Sequence, residues 1–186
     1  MFKTEDGTKW FALTVKPRHE KAVAGVLEAK GYETLLPTYK KRSLYATRAK
    51  ESHLPLFPGY VFCRFSLLIR LPILITPGVT GIVGAGPSLL PVDETEIDSL
   101  RTAMLTRTEL LPYPFLTAGQ KVRITEGSLA GVEGIVVRVK SVPSLVLSIS
   151  LLQRSVLLEI DPSAVAPHRI IESQRPKSAV TTYAAL

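Results

Sequence analysis

Cysteine and histidine are scarce in this chain, and their scarcity limits the chemistry it can perform. The single cysteine, Cys63, excludes an internal disulfide framework and a cysteine-rich zinc site. The three histidines, His19, His53 and His168, are scattered and lack the spacing of metal ligands. No glycine-rich loop ends in Lys-Ser or Lys-Thr, so a P-loop nucleotide site is not predicted. We therefore expect a binding protein without a metal or cofactor, and not an enzyme.

The chain also lacks an uninterrupted apolar run that could cross a membrane. Residues 71–92 carry no charge, but four prolines and four glycines interrupt them. Such a segment cannot form a continuous spanning helix, and strands with turns fit it better. No basic segment followed by an apolar run opens the sequence, so no signal peptide is predicted. We expect a cytoplasmic protein without a membrane partner.

Acidic residues are fewer than basic ones, and the imbalance is concentrated in one region. The chain has 23 lysines and arginines against 16 acids, a net charge of +7. Residues 9–53 hold ten of these bases and four of the acids, a surplus of six. A basic region of this kind favours a polyanion such as nucleic acid as a neighbour. The alternative is a solvated surface that happens to be basic.

One ten-residue stretch, 56–65, combines aromatic side chains, a turn and a strand. Pro58 and Gly59 are typical of a turn, and the β-branched and aromatic residues from Tyr60 onward predict a strand. Side chains alternate along a strand, so Tyr60 and Phe62 share one face. Two interpretations stay open on this pattern. The strand is buried on both faces, or it presents an apolar patch to a partner.

The first hundred residues alternate between strand-like and helix-like patterns. The predicted order is strand 10–15, helix 18–30, strand 32–36, a basic hairpin or loop 40–50, strand 59–65, a short helix 67–75 broken by Pro72, strand 79–83, and a final helix opened by Asp93 and Glu96 in the manner of a capping box. This order predicts an α+β fold, an α/β sandwich with helices on a mostly antiparallel sheet.

The pattern changes after residue 108. Pro112-Tyr113-Pro114 breaks it, so we predict a linker at 109–116 between two domains. Several short apolar strands with glycine turns follow, which is typical of a small β-barrel at 117–170. Residues 171–186 have little apolar pattern and are predicted to be a disordered tail.

Two sets of motifs together resemble the NusG family of transcription elongation factors. Trp10-Phe11-Ala12-Leu13, the segment Leu54 to Phe62, and Thr76-Pro77-Gly78-Val79 resemble the family's N-terminal NGN domain. The segments 119–124 and 127–134 resemble its KOW motif. The resemblance implies a ferredoxin-like NGN domain at 9–108 and an SH3-like KOW barrel at 117–170.

Some segments look closer to operon-specific paralogues than to the housekeeping factor. Residues 54–62 and 151–156 resemble the UpxY-type antiterminators, and residues 124–127 also resemble RfaH. This similarity implies a specialised antiterminator.

The resemblance also implies binding sites. The family's NGN domain docks on the clamp helices of RNA polymerase, a role carried here onto Leu56, Phe57, Pro58, Tyr60 and Phe62. Related paralogues present basic residues to the non-template DNA strand. The corresponding positions are Lys16, Arg18, His19 and Lys21.

The KOW domain of the family recruits either ribosomal protein S10 or the Rho terminator. The implied contact loop contains Thr125, Gly127, Leu129, Gly131 and Val132, and we predict that its glycines, with Gly134, are required by turns. Leu129 stands where the housekeeping factor has Phe, and losing an aromatic anchor could weaken engagement of Rho.

The resemblance therefore implies a monomeric factor that holds the polymerase clamp closed and suppresses pausing and termination. Two alternatives stay open. One is a general NusG-like factor that couples polymerase to Rho or the ribosome. The other is a ribosome-associated RNA-binding protein that uses its KOW barrel.

Overall fold

Two antiparallel sheets, one on each side of residue 106, form the framework of the chain. The computed structural model describes residues 7–45, 48–85, 88–106, 109–113, 120–139, 142–160 and 165–167. The predicted tail at 171–186 lies outside these ranges. We call residues 7–106 the N-terminal unit and residues 109–167 the C-terminal unit.

The N-terminal unit contains three α-helices, a 3₁₀ turn and eight strands among its described residues. They are β1 (Lys9–Val15), α1 (Glu20–Ala29), β2 (Glu33–Leu35), β3 (Thr38–Tyr45), β4 (Arg48–Pro55), β5 (Tyr60–Phe65), the 3₁₀ turn Leu67–Ile69, α2 (Leu71–Leu74), β6 (Val79–Ile82), β7 (Gly84–Ala85), β8 (Ser88–Leu89) and α3 (Glu94–Leu105). The main sheet has the order β2-β5-β1-β6, while β3 pairs with β4 and β7 with β8.

Each face of the main sheet is covered by one long helix. On one face, Phe11, Leu13 and Cys63 pack against Val23 and Leu27 of α1. The other face is covered by α3, whose inward side chains Ile97, Leu100 and Ala103 recur at helical spacing and pack with Trp10, Ala12 and Phe62. The prediction of a mixed α/β fold with helices on an antiparallel sheet is confirmed.

Local signals in the sequence placed several element ends correctly. The Asp93 carboxylate caps α3 by accepting a 2.8 Å hydrogen bond from the Thr95 amide. The predicted helix at 67–75 is two pieces that meet at Arg70, with Pro72 in the first turn of α2. The described part of the basic segment, residues 40–45 and 48–50, lies in strands β3 and β4, which pair with each other.

The C-terminal unit is a six-stranded antiparallel sheet with one 3₁₀ turn in its described residues. Its strands are β9 (Leu111–Tyr113), β10 (Gln120–Ile124), β11 (Glu133–Val139), β12 (Val142–Ile149), β13 (Arg154–Glu159) and β14 (Val165–Pro167), and the 3₁₀ turn is Ser150–Leu152. The spatial order is β14-β10-β11-β12-β13-β9.

The segment predicted as a linker contains a strand. Within 109–116, Leu111–Tyr113 forms β9 and pairs with β13, and Leu110 is buried. Pro112 fits because β9 lies at the edge of the sheet, where a strand needs no amide hydrogen on its outer side. The sequence pattern predicted that regular structure breaks at Pro112, whereas in the structure Pro112 lies within β9.

Gly134 lies inside β11, not in the turn predicted for it. A Cβ atom at this position would lie 2.5 Å from the Val146 carbonyl oxygen and 2.9 Å from the Leu145 Cγ. Glycine is therefore required here by the close approach of β11 and β12, and not by a positive φ angle.

We predict that Gly134→Ala lowers the free energy of unfolding by about 1–3 kcal/mol, because the added methyl group must displace backbone. Urea denaturation of the full chain measures this change. The matched control is Gly25→Ala on α1, where a Cβ meets nothing within 4 Å. It should stabilise the chain by about 0.5–1 kcal/mol, because alanine favours helix. Equal effects of the two substitutions would contradict the close-packing account.

Candidate functional site

The turn before β5 is fixed by contacts with two other parts of the chain and by one hydrogen bond within the turn. Leu56 donates its amide to the Pro37 carbonyl at 2.8 Å, and Tyr60 closes the turn onto the Phe57 carbonyl at 3.1 Å. Gly59 has a φ of +83° and donates its amide to the buried Glu20 carboxylate at 2.9 Å. Glycine adopts this positive φ without strain. The hydrogen bonds of Leu56 and Gly59 then fix the Pro-Gly corner and the aromatic residues around it.

The side chains predicted for docking differ in exposure. Phe57 and Phe62 are 1% and 0% exposed, and their rings meet edge to face with centroids 5.5 Å apart. Leu56 is also buried, Tyr60 is half-buried and Pro58 is exposed. Of the two interpretations left open by the sequence, burial of β5 on both faces describes this arrangement.

The sheet face that carries Phe62 is covered partly by residues outside the N-terminal unit. One continuous apolar cluster contains Trp10, Phe57 and Phe62 from the first unit together with α3. The same cluster includes buried residues of the C-terminal sheet: Val122, Ile124, Val132, Leu145, Leu147, Ile149, Val156 and Leu158. The two units therefore share a core, and α3 lies where they meet.

Directed polar contacts join the units across this junction. The Ser99 hydroxyl oxygen accepts the Glu133 amide at 3.2 Å. Both carboxylate oxygens of Glu96 face the Ser150 amide, at 3.1 and 3.2 Å. The guanidinium carbon of Arg154 lies 5.4 Å from the centre of the Tyr60 ring, a cation–π contact. We call these three contacts the interdomain contacts.

None of the side chains in these contacts except Tyr60 was predicted as functional. The capping-box pattern singled out Glu96, but in that pattern its carboxylate would return to the Asp93 amide. In the structure the carboxylate instead faces Ser150, which is 54 residues away in sequence. No local pattern carries this information.

Burial raises the pKa of Glu96, and the nearby Asp93 raises it further. Hydrogen bonds from Ser150 and the charge of Lys121 lower it. Burial has the largest effect, so the net shift of the Glu96 pKa is upward.

Ion pairs attach α3 to the sheet of its own unit. Glu33 on β2 pairs with Arg101 at 2.6 Å, and Arg64 on β5 pairs with Glu94 at 3.1 Å. The Arg101 guanidinium also lies 5.3 Å from the centre of the Trp10 ring. These pairs are partly exposed and individually weak, but together they orient α3 on the N-terminal unit.

The predicted nucleic-acid residues lie on one exposed segment, which runs from the end of β1 into the first turn of α1 and is called the basic loop. Lys16, Arg18, His19 and Lys21 are all exposed between β1 and the first turn of α1. Arg18 has a φ of +65°, an uncommon conformation for a residue with a side chain. Val15, just before this loop, donates its amide to the Gly59 carbonyl at 2.9 Å. The basic loop therefore adjoins the Pro-Gly corner.

The predicted partner loop is only partly exposed. Thr125, Gly127 and Gly131 are exposed, whereas Val132 is buried and Leu129 packs against the shared cluster. Within the loop, Gly131 donates its amide to the Ile124 carbonyl at 2.9 Å, which closes the turn. The side chains of Leu129 and Val132 are thus turned into the apolar cluster, and the rest of the loop is exposed.

Across the described ranges, no three His, Cys, Asp or Glu side chains come together as a metal site would require. No helix within these ranges has the length and apolar character needed to cross a bilayer.

Comparison with known proteins identifies the family. A family model described as transcription termination factor nusG matches residues 8–101, half of the chain. The chain belongs to the NusG family of transcription termination factors. This membership agrees with the expectation of a non-enzymatic protein.

Relatives and a solved structure extend the likeness beyond the matched half. The chain is 28% identical over 164 residues to the transcription termination/antitermination protein NusG of Campylobacter jejuni, covering 82% of this chain and 93% of the relative. It is also 28% identical over 155 residues to the Thermus thermophilus protein of the same name, covering 70% and 82%. A structure titled "Domain interaction in Thermotoga maritima NusG" has a similar fold, with a TM-score of 0.51 and 20% identity. That match covers 87% of this chain and 98% of the other.

Cys63 lies on the opposite face of β5, and its reactivity tests the orientation of that strand. Its thiol is buried against the α1 side of the sheet, and burial raises its pKa to about 12. Since the thiolate is the reactive form, we predict that iodoacetamide at pH 8 leaves Cys63 unmodified in the native chain. After denaturation in urea it should react fully, as measured by intact-mass spectrometry. Rapid modification of the native chain would contradict the assigned strand orientation.

Proposed function

We propose that this protein is a cytoplasmic, monomeric transcription elongation and antitermination factor that docks on the clamp helices of RNA polymerase. The docking residues are Leu56, Phe57, Pro58, Tyr60 and Phe62. One observation supports this face above others: its rings belong to an apolar cluster shared with a second unit, and not to the core of one unit alone. A face that one part of the chain covers through an interface can accept another partner in its place.

Docking requires the C-terminal unit to move. In the arrangement described here Phe57 and Phe62 have almost no exposed surface, and Arg154 lies over Tyr60. The structure therefore corresponds to a closed state of the proposed factor. Polymerase would select an open state in which this face is uncovered, and the affinity for polymerase would be reduced by the cost of opening.

Bound polymerase would be kept in its elongating state by differential binding. A rigid unit that bridges the clamp favours the closed clamp to the extent that it binds this form more tightly. The rigid Pro-Gly corner and the paired rings suit this role, because they present a large contact area at little entropic cost.

The basic loop beside the Pro-Gly corner is proposed to contact non-template DNA. Lys16, Arg18 and Lys21 are exposed cations, and phosphate contacts from such side chains give affinity without sequence preference.

The C-terminal unit is proposed to be an SH3-like KOW barrel that recruits ribosomal protein S10 or Rho through the loop containing Thr125, Gly127, Leu129, Gly131 and Val132. Leu129 and Val132 pack in the apolar cluster that the two units share, while Thr125, Gly127 and Gly131 are exposed. Resemblance to the UpxY and RfaH paralogues supports a specialised antiterminator that engages Rho weakly.

The contact between Tyr60 and Arg154 yields two predictions of opposite sign. Tyr60→Ala should weaken capture of core RNA polymerase more than tenfold, because it removes an aromatic anchor. Arg154→Ala should strengthen capture about twofold to fivefold, because a cation–π contact that holds the cover is lost. Surface plasmon resonance with immobilised polymerase measures both.

The matched control for aromatic loss is Tyr32→Ala, since Tyr32 packs on the α1 side of the sheet. It should leave capture unchanged, and thermal denaturation verifies that each variant is folded. If Tyr60→Ala binds polymerase as well as the unmodified protein does, this face is not the docking site.

The two named relatives favour one alternative function, because both are called termination and antitermination proteins. A general factor would assist Rho, whereas the proposed antiterminator would oppose it. We predict that the protein increases read-through of a Rho-dependent terminator in run-off transcription. Increased termination after its addition would favour the general factor.

A further inference from the structure

The Glu96 carboxylate does not make the contact that its position in α3 predicts. It is the third residue of α3, and Asp93 is the N-cap. In a capping box the third residue accepts the N-cap amide. In this structure the carboxylate instead accepts the Ser150 amide of the C-terminal unit through both oxygens.

The cap of α3 does not depend on Glu96 in the closed state. Asp93 Oδ1 accepts both the amide and the hydroxyl of Thr95, at 2.8 and 2.7 Å. Among the described residues, no hydrogen bond satisfies the Asp93 amide itself. When the C-terminal unit leaves, the Glu96 carboxylate therefore has an alternative donor within its own helical turn.

We propose that Glu96 is a two-position latch that bonds the Ser150 amide in the closed state and the Asp93 amide in the open state. This inference rests on the proposed function, because it specifies how the covered docking face is released. In the closed state the latch orients the C-terminal unit over Tyr60. In the open state the same carboxylate completes the capping box of α3, so the bond lost at Ser150 is partly replaced.

Burial of the Glu96 carboxylate adds a cost to closing. The groups that face the carboxylate are Ser150, Asp93 and Lys121, and burial is the largest influence on its pKa, which it raises. Closing therefore dehydrates a negative charge, and an uncharged acceptor at this position would avoid that cost. Glu96→Gln should keep the Ser150 contact and close at least as tightly as the unmodified chain.

The test measures the domain equilibrium in the full chain without polymerase. Gly25 on α1 and Glu159 on β13 are exposed, so Gly25→Cys and Glu159→Cys accept a donor and acceptor dye, while the native Cys63 stays buried. Single-molecule energy transfer then gives the ratio of closed to open molecules.

Glu96→Ala should lower the closed-to-open ratio about threefold to tenfold, as expected for loss of a hydrogen bond that is only partly replaced on opening. The matched control is Asp98→Ala, which removes an exposed carboxylate from the same helix and should leave the ratio unchanged. If Glu96→Ala and Asp98→Ala have equal effects, Glu96 is not a latch.

The second position is tested in the variant opened by Arg154→Ala and Ser99→Ala. The NMR shift of the Asp93 amide should follow the titration of Glu96 in this opened chain and lose that dependence when Glu96→Gln is added. An Asp93 amide that does not respond to Glu96 would overturn the two-position model. Because neither readout contains polymerase, failure of the latch and failure of the docking proposal are distinguishable.

Discussion

Helix α3 determines the arrangement of the whole molecule, because it is packed on both sides. One side covers the sheet face that carries Trp10 and Phe62, and ion pairs with Arg64 and Glu33 hold it there. The other side meets the C-terminal sheet through Ser99 and Glu96. The aromatic face of the N-terminal unit and the core of the C-terminal unit thereby become parts of one apolar cluster.

Two kinds of interaction contribute differently at this junction. Burial of apolar surface favours association of the units in proportion to area but has no preferred direction. The interdomain contacts at Ser150, Glu133 and Tyr60 are directional and so select one orientation. They are few, and each is worth little net free energy. Under the proposed function, a partner that offers a comparable apolar surface would compete with closure without having to break a large polar network.

The covered arrangement also links the two proposed binding sites. Tyr60 lies under Arg154, and Leu129 packs against the same cluster that contains Phe62. A ligand that binds only the open form at one site would raise the availability of the other, and linkage makes this effect reciprocal.

The sequence predicted those features that depend on nearby residues. The Asp93 cap, the break near Pro72 and the position of β5 all follow from local chemistry, and the NusG resemblance is confirmed by the family match. The alternation along β5 defined its two faces but could not show what covers them, because α3 and the C-terminal sheet are distant in sequence. The same limit applies to the partner of Glu96. The pattern around Pro112 predicts a break in regular structure. Its position at the edge of the C-terminal sheet depends on pairing with β13, which is distant in sequence.

The central claim is that polymerase and the C-terminal unit compete for the same face. Hydrogen exchange of the full chain, measured with and without core RNA polymerase, tests it most directly. The account predicts that the amides of Ser150 and Glu133 lose protection on binding, while those of β5 keep it. Retained protection at Ser150 and Glu133 in the polymerase-bound protein would contradict it.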